Sequence, residues 1–324
     1  MQRRSLITAA AAAALTAHPA LRAQSTYPQR AITLVVPSSP GGSTDFTARL
    51  IAEGLQRALG QPVVVDNKAG AAGNIGNQFV ARARPDGHTL LVAYSGYQVG
   101  NPHLFANAGW DPIRDFTPIA MLTRAPQVIV INGNQRANTL AELVAFAKAN
   151  PGKLNYASSG NGSIQHIAGE LFKQLTGTFI THIPYRGAGP AVQDLIGGQV
   201  DMFITTPASV VQHVRSGKLK ALAVSSSARL SALPQVPTAV EAGLSGFTLE
   251  SWFALYGPAG MSADVVQTLH AEIGKILNSA EIRRRADEAG TAVEQMSPAQ
   301  LGDYTRKELE HWGRVIKSSK ITAE

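Results

Sequence analysis

Two short segments rich in glycine and serine are the parts of this sequence best suited to hold a ligand. The first, residues 37–45 (PSSPGGSTD), lies between an apolar run at 32–36 and a helical pattern. The second, residues 158–163 (SSGNGS), lies between a short strand pattern and another helical pattern. A helix N-terminus carries unpaired N–H groups and the positive end of the helix dipole. Each segment is therefore predicted to form an anion-binding loop at the start of a helix.

The residue types in the first loop suit anion binding. Gly41 and Gly42 let the backbone approach a ligand closely, and Ser43 or Thr44 can cap the helix that follows. One glycine-rich turn is weak evidence, because such turns are common between elements. Two loops about 120 residues apart, each opening a helix, favour two similar lobes that face one cleft.

Other hydrogen-bonding groups follow further predicted strands. Open α/β sheets bind ligands at the carboxyl ends of their strands, so these groups are expected to converge on one pocket. Backbone amides and hydroxyls can hold a carboxylate without an arginine partner. The candidate ligand-binding residues are Ser38, Gly41, Gly42, Ser43, Asp45, Ser95, Tyr97, Ser158, Gly160, Gly162, Ser163, Tyr185, Thr205 and Thr206.

For each hydroxyl residue taken alone, capping or turn formation is the competing interpretation. Three residues near the loops also have two interpretations each. Asp45 either complements the helix dipole or receives an amino group of the ligand. Arg186 either meets an acidic ligand group or lies at the surface or hinge. Trp252 either reports lobe closure or packs in the core.

The sequence lacks several patterns on which enzymes depend. It contains no G-x-S-x-G elbow, no G-x-x-x-x-G-K-[ST] phosphate loop and no G-x-G-x-x-G fingerprint. The eight histidines are isolated along the chain, with no H-E-x-x-H pattern, so neither a metal nor a cofactor is predicted. No residue is placed as an activated base for a nucleophile. The chain is therefore not expected to be an enzyme, although action on carboxylates stays a remote alternative.

The N-terminus predicts export. Arg3 and Arg4 precede an apolar stretch that ends at Leu15, and Ala23 offers a small residue at a cleavage position. Residues 1–23 are predicted to be a secretory signal peptide for either the Sec or the twin-arginine route. The competing interpretation, a short membrane anchor, requires about 20 apolar residues. The absence of cysteine excludes disulfides, which suits a bacterial periplasm better than a stapled extracellular module.

The net charge is modest once the signal peptide is removed. The whole chain carries +7, and residues 1–23 contribute three arginines and no acid, which leaves +4. The densest basic cluster, residues 283–285, falls within a helical pattern and is interpreted as a solvated face. A mild basic excess favours anionic small molecules and does not make a nucleic-acid footprint.

Strand and helix patterns alternate throughout, which predicts an α/β protein with mostly parallel sheets flanked by helices. The predicted strands cover residues 32–36, 63–65, 89–93, 128–131, 155–157, 181–183, 201–205, 221–224 and 253–256. The predicted helices cover residues 44–59, 75–83, 139–149, 163–176, 188–196, 207–216, 262–278, 280–289 and 298–316.

The order loop, helix, strand, helix, glycine turn, strand occurs twice, with residues 86–93 matching residues 197–204. The joints between the halves fall near residues 123–127 and 251–253. One domain would then comprise 24–124 and 252–324, and the other 125–251. Two connecting strands would form a hinge that closes the lobes on a ligand.

A series of ordered motifs runs through the whole mature chain. They are residues 27–30 (YPQR), 40–45 (PGGSTD), 60–67 (GQPVVVDN), 73–76 (GNIG), 85–91 (PDGHTLL), 151–158 (PGKLNYAS), 168–172 (AGELF), 184–187 (PYRG), 233–238 (LPQVPT) and 241–243 (EAG). With these motifs the chain resembles the solute receptors of tripartite tricarboxylate transporters, also called the Bug receptor family.

The resemblance implies a two-lobed periplasmic binding protein of type II-like fold, monomeric, with a small carboxylate held between the lobes, often through ordered water. It implies delivery of that ligand to a two-component membrane permease. Presentation of the ligand to a membrane signalling protein is the alternative. The resemblance places the carboxylate-binding backbone in loops 38–45 and 158–163. One departure is Ser38, where the family usually has an aromatic residue.

Overall fold

The computed structural model describes residues 27–318 and residue 322 of the 324-residue chain. The predicted signal peptide, residues 1–23, therefore lies outside the described residues. Of the helices in the described part, none has both the length and the apolar composition needed to cross a bilayer.

Strands and helices alternate along the described chain as the sequence predicts. The strands are β1 (Ile32–Val36), β2 (Val63–Asn67), β3 (Thr89–Tyr94), β4 (Phe116–Pro126), β5 (Val128–Asn132), β6 (Asn155–Ser158), β7 (Thr181–Pro184), β8 (Met202–Thr205), β9 (Leu219–Val224), β10 (Glu250–Pro258) and β11 (Ala292–Val293). The helices are α1 (Ser43–Leu59), α2 (Asn74–Ala81), α3 (Asn101–Leu104), α4 (Leu140–Ala149), α5 (Ile164–Thr176), α6 (Ala188–Ile196), α7 (Val211–Arg215), α8 (Ala263–Asn278), α9 (Ala280–Glu288) and α10 (Pro298–Ser318).

The short elements α3 and β11 were not predicted from the sequence, and two longer segments also differ from the expectation. Strand β4 covers 11 residues where only a joint was expected. Prolines 118 and 126 weaken its strand pattern, but pairing with β10 and β11 on its two sides fixes it as a strand. The helix expected at 207–216 is a 3₁₀ turn at Pro207–Ser209 followed by the short helix α7.

The strands form two sheets, one in each lobe. The first sheet has the order β11-β4-β10-β3-β1-β2 and the second has the order β7-β6-β8-β5-β9. Strands β1, β2 and β3 are parallel to one another, as are β6, β7 and β8. Strands β5 and β10 are antiparallel to both of their neighbours, so the sheets are mixed and not mostly parallel. Each of these two strands enters its sheet directly from the other lobe, without the crossover helix that makes neighbouring strands parallel.

The two lobes repeat one topology, which confirms the internal echo in the sequence. In the first sheet β2-β1-β3-β10-β4 occupies the positions that β7-β6-β8-β5-β9 occupies in the second. In each lobe the strand before the glycine-rich loop, β1 or β6, has a parallel neighbour on both sides. A strand in this position lies at a topological switch point, where the loop at its carboxyl end opens into a crevice.

Helices cover both faces of each sheet. Apolar residues of α1 such as Ala48, Ile51 and Leu55 recur at helical spacing and pack, together with α8, on one face of the first sheet. Helices α2 and α10 cover the other face. In the second sheet α4 and α5 pack on one face and α6 and α7 on the other. Each core therefore fixes the direction in which the N-termini of α1, α5 and α6 point.

A buried glutamine joins the two chain crossings between the lobes. Gln127 lies between β4 and β5 and is fully buried. Its backbone N–H donates to Ser225 Oγ at 2.8 Å, and its side-chain amide donates to Ser251 Oγ at 2.9 Å. Ser225 and Ser251 belong to the return segment that ends in β10, so Gln127 ties both crossings into one hinge.

Candidate ligand-binding cleft

The first glycine-rich loop faces the loop after β8 of the other lobe across a narrow cleft. The hydroxyls of Ser43 and Thr206 lie 2.5 Å apart, one from each lobe. The cavity that remains between the lobes is about 20 Å³, which holds about one water molecule. It is lined by Ser38, Gly42, Ser43, Thr44, Tyr94, Tyr97, Ser159, Gln165, Ala188, Thr206 and Phe253. The described conformation is therefore a closed one.

The first loop differs in one detail from the sequence-based expectation. Gly42, and not Ser43 or Thr44, is the N-cap of α1, and no side chain caps this helix. The helix starts one residue earlier than a cap at Ser43 would place it, so both hydroxyls belong to its first turn and face the cleft. Within the described residues the backbone N–H groups of Ser43, Thr44 and Asp45 make no hydrogen bond. These donors remain available to a ligand.

A third helix start, predicted at residue 188 but not assigned to the ligand site, faces α1 from the other lobe. Helix α6 begins at Ala188 after Gly187, whose φ of 128° is open to glycine alone. A Cβ on Gly42 would lie 3.4 Å from the Cβ of Ala188, and a Cβ on Gly189 would lie 2.0 Å from the carbonyl oxygen of Pro40. The N-termini of α1 and α6 therefore meet nearly in contact. The signal was the segment Gly187-Ala188-Gly189-Pro190, a strand–turn–helix joint like the other two.

The second loop mainly bonds to itself and to its own lobe. The Ser158 hydroxyl accepts the N–H of Gly160 at 3.1 Å, and Ser163 caps α5 by accepting the N–H of His166 at 3.3 Å. The N–H of Gly162 donates to His166 Nδ1 at 3.1 Å. Ser158, Gly160, Gly162 and Ser163 thus shape the loop but do not line the cavity, which only Ser159 of this loop reaches.

Asp45 lies in the first turn of α1, where its charge complements the helix dipole. One of its carboxylate oxygens accepts the N–H of Gly41 and the Nε–H of Arg49, both at 3.1 Å. It therefore closes the first loop, and it raises the pKa of Arg49 by hydrogen bonding to the guanidinium. Neither Gly41 nor Asp45 lines the cavity.

Three other candidates lie beside the cavity without lining it. Ser95 accepts the backbone N–H of Trp252 at 3.2 Å and so ties the end of β3 to β10. The Tyr185 hydroxyl donates to Asp194 at 2.7 Å on α6. Thr205 is fully buried at the end of β8, and its hydroxyl has no partner among the described residues.

Arg186 takes part in closure through its backbone. Its side chain is exposed, while its carbonyl accepts hydrogen bonds from the N–H and the hydroxyl of Ser39 at 3.2 and 2.8 Å. Trp252 packs on the side of β10 away from the cleft, where its indole N–H donates to Glu308 at 3.0 Å. Strand alternation then directs Phe253 into the cavity.

Two tyrosines of the first lobe bind the start of α5 in the second. The Tyr94 hydroxyl accepts the N–H of Ile164 at 3.0 Å and donates to Gln165 at 2.7 Å. The Tyr97 hydroxyl donates to the carbonyl of Ser159 at 2.7 Å. Burial raises the pKa of both phenols, so both stay protonated donors. Sequence reasoning proposed Tyr97 but missed Tyr94 and Gln165. The position of Tyr94 as the last residue of β3 was the available signal.

The cavity wall combines hydroxyls, amides and aromatic rings, and no ionisable acid or base of the described chain lines it apart from the two phenols. Within the same residues, no three His, Asp or Glu side chains cluster as metal ligands would. Hydroxyls, the free N–H groups at the start of α1 and the opposed N-terminus of α6 suit a small anion, because donors and dipoles both favour negative charge.

Comparison with known proteins agrees with this geometry. The family model described as the tripartite tricarboxylate transporter family receptor matches residues 47–321. The structure of the periplasmic binding protein BugD is similar, with a TM-score of 0.87 and 34% identity over 91% of this chain and 99% of that one.

Two structures from Rhodopseudomonas palustris are also similar. Rpa4515 with adipate has a TM-score of 0.88 and 33% identity, covering 91% of this chain and 99% of that chain. MatC with bound malate has a TM-score of 0.84 and 35% identity, covering 90% of this chain and 100% of that chain. The resemblance stated from the sequence motifs is confirmed, and so is the two-lobed α/β fold. The chain therefore belongs to the tripartite tricarboxylate transporter receptor family, the Bug family of periplasmic solute-binding proteins.

Proposed function

We propose that this chain is a periplasmic receptor that captures a small carboxylate between its lobes and delivers it to the membrane permease of a tripartite tricarboxylate transporter. The two lobes comprise 24–124 with 252–324 and 125–251, and they act as a monomer. The observation that carries the proposal is the pair of opposed helix N-termini, α1 and α6, at a cavity lined by hydroxyls. Similar proteins with bound adipate and malate support a carboxylate ligand.

In this proposal the carboxylate is held by neutral donors. One carboxylate oxygen would accept the free N–H groups at the start of α1, those of Ser43 and Thr44. The other would face Ala188 at the start of α6 across the cleft. The hydroxyls of Ser43 and Thr206 would donate to the ligand in place of the 2.5 Å bond between them. Charge-assisted hydrogen bonds of this kind are stronger than the neutral ones they replace.

The small cavity implies that binding couples to lobe movement. A volume of about 20 Å³ holds about one water molecule, whereas malate or adipate needs far more room. The ligand must therefore enter an opened cleft and separate the hydroxyls of Ser43 and Thr206 before the lobes close on it. Closure around it would reuse the contacts of Ser39 with Arg186 and of Tyr97 with Ser159.

A thermal-shift screen of the mature chain, residues 24–324, tests the proposal. The protein is first unfolded and refolded, so that any acid carried over from expression is removed. Malate, adipate and a panel of mono-, di- and tricarboxylates are then compared with the matching uncharged amides. A ligand present at 100 times its Kd adds about 2.7 kcal/mol of stability. Stabilisation by one class of acid and not by its amides is the expected result. Refolded protein that no carboxylate stabilises would refute the proposal.

A further inference from the structure

Two histidines of the second lobe form a stacked pair behind the loop at residues 158–163. His166 lies in the first turn of α5 and His182 lies on β7. Their ring centroids are 4.0 Å apart and their planes differ by 6°. Tyr156 of β6 stacks on His182 with a centroid distance of 4.9 Å. The two histidines are 16 positions apart in the sequence, and neither belongs to a metal-binding motif.

Each histidine holds one end of the loop. His166 Nδ1 accepts the backbone N–H of Gly162 at 3.1 Å. His182 Nε2 shares a 2.7 Å hydrogen bond with the hydroxyl of Ser158, and that hydroxyl also accepts the N–H of Gly160. Between these two contacts lies Ser159, which lines the cleft and binds Tyr97 of the first lobe through its carbonyl. The pair therefore fixes the part of the loop that closes on the cleft.

The contact with Gly162 requires an uncharged imidazole at His166, and the stacking disfavours a charge on both rings. His166 Nδ1 can accept an N–H only when it carries no proton, and two imidazolium rings stacked at 4.0 Å would repel each other. The ionisable groups that face the pair are Glu170 and Lys173 of α5 and the phenol of Tyr156 on β6. Glu170 already binds Lys173 at 2.8 Å and the Tyr156 hydroxyl at 2.7 Å, so its charge is largely compensated.

Burial also favours the neutral form of both imidazoles. Removal from water, with the neighbouring His166 as a further cause, lowers the pKa of His182 to about 3. Burial also lowers the pKa of His166. When the loop is released and water reaches the two rings, each histidine has its ordinary pKa of about 6.5. The released loop therefore binds protons more readily than the ordered loop, and the ordered shape loses stability as the pH falls below that value.

We propose that His166 and His182 are positioning residues that, as a neutral pair, hold the loop at 158–163 in its ligand-binding shape, so that acidification releases the loop and weakens ligand binding. This inference rests on the proposed carboxylate-receptor function. Neither histidine lines the cavity. The pair acts through the backbone of Gly162 and the hydroxyl of Ser158.

Two substitutions of His166 separate its role as a hydrogen-bond acceptor from its role as a titratable group. In His166→Asn the side-chain oxygen can accept the Gly162 N–H and does not titrate, whereas His166→Leu offers no acceptor. Adipate affinity is measured by calorimetry from pH 7.5 to pH 5.5 for the wild type and both variants. His311→Asn, on the exposed surface of α10, serves as the control for removal of a histidine.

We expect acidification to cost the wild type and His311→Asn up to about tenfold more affinity than it costs His166→Asn, because one histidine with an ordinary pKa of about 6.5 contributes at most that factor at pH 5.5. His166→Leu should bind weakly at every pH. Titration of adipate itself affects all four proteins equally and cancels in the comparison. Equal pH dependence of the wild type and His166→Asn would overturn the proposal. So would wild-type binding that strengthens in acid relative to His166→Asn, because the ring would then act on adipate as a cation.

A ligand-free measurement separates this inference from the proposed function. Nitrogen-15 NMR of the imidazoles should show His166 with Nδ1 unprotonated and Nε2 protonated, and both rings of the pair neutral at pH 6. A proton on His166 Nδ1, or a charged ring at pH 6, would overturn the positioning role whether or not adipate binds. If adipate fails to bind the wild type at pH 7.5 although NMR shows the neutral pair, the pH series is repeated with a carboxylate that the thermal-shift screen identifies. The proposed function fails only if the screen finds none.

Discussion

Replacing Gly42 by valine should block ligand binding without unfolding the protein. Gly42 is the N-cap of α1 with φ of −91° and ψ of 172°, an extended conformation that valine adopts readily. A Cβ at this position would lie 3.4 Å from the Cβ of Ala188 in the other lobe. The two methyl groups of valine extend beyond Cβ, and one of them would overlap Ala188 whenever the lobes close.

The expected loss of ligand affinity follows from the free-energy cost of this overlap in the closed state. Extra methyl groups forced into a packed contact cost about 1 to 3 kcal/mol, and here the cost falls on the closed state alone. A ligand bound through that state loses affinity by the same free energy. A cost of about 2 kcal/mol corresponds to roughly thirtyfold weaker binding, because each 1.4 kcal/mol is tenfold. Calorimetry with a carboxylate that the wild type binds measures this loss.

The matched control is Gly42→Ala. Alanine and valine are both poor N-cap residues, so the two variants share the capping cost. The alanine Cβ at 3.4 Å still fits against Ala188. We expect near wild-type affinity for alanine, strong loss for valine, and similar urea midpoints for both ligand-free variants. Equal affinity loss in the two variants would mean that capping, and not closure, is responsible. Unchanged affinity of the valine variant would remove the first loop from the site.

Two further predictions concern the cleft and the backbone. Ser43→Ala removes the hydroxyl that lies 2.5 Å from Thr206 Oγ1 and leaves that buried group without this partner. We expect ligand binding to weaken by about 1 kcal/mol, or roughly fivefold, as measured by calorimetry. Unchanged affinity would show that the Ser43 hydroxyl does not act in binding. Ala72 has φ of 50° and ψ of 41°, a left-handed conformation that costs a non-glycine residue about 1 to 2 kcal/mol. Ala72→Gly should therefore raise the free energy of unfolding by about 0.5 to 1 kcal/mol in urea titrations, after the greater freedom of glycine in the unfolded chain is subtracted. The control is Ala145→Gly, at an exposed position inside α4, which should lower the free energy of unfolding by about 1 kcal/mol. A change of the same sign in both variants would contradict backbone strain at Ala72.

Much of the fold could be predicted because local patterns and tertiary structure agree. Apolar residues at helical spacing in α1, such as Ala48, Ile51 and Leu55, are buried as their spacing requires. Helices α5 and α8 also begin within one residue of their predicted starts, each after a serine N-cap. Strand direction could not be read in the same way, because whether β5 and β10 run parallel or antiparallel depends on the lobe from which the chain enters. Strand β4 was missed because its partners, and not its own pattern, define it.

The candidate site could be predicted only in part, for a similar reason. Loop sequences reveal where a chain turns and starts a helix, so Ser38, Gly42 and Ser43 were predicted from their own neighbours. Whether a side chain then faces the cleft depends on the other lobe. The hydroxyls of Ser158 and Ser163 bond within their own loop and helix start, while Tyr94 and Phe253 line the cavity from strands that carry no binding motif.

By itself the sequence determined the two glycine-rich loops, the repeated strand–loop–helix order, the predicted export signal and the family motifs, because each depends on residues close together in the chain. Only the tertiary structure decided which groups meet. It brought α1 and α6 end to end, linked both chain crossings through Gln127, and stacked His166 on His182 behind the second loop. Such contacts arise when distant segments pack into one core, and their partners lie too far apart in the sequence for any local pattern to record them.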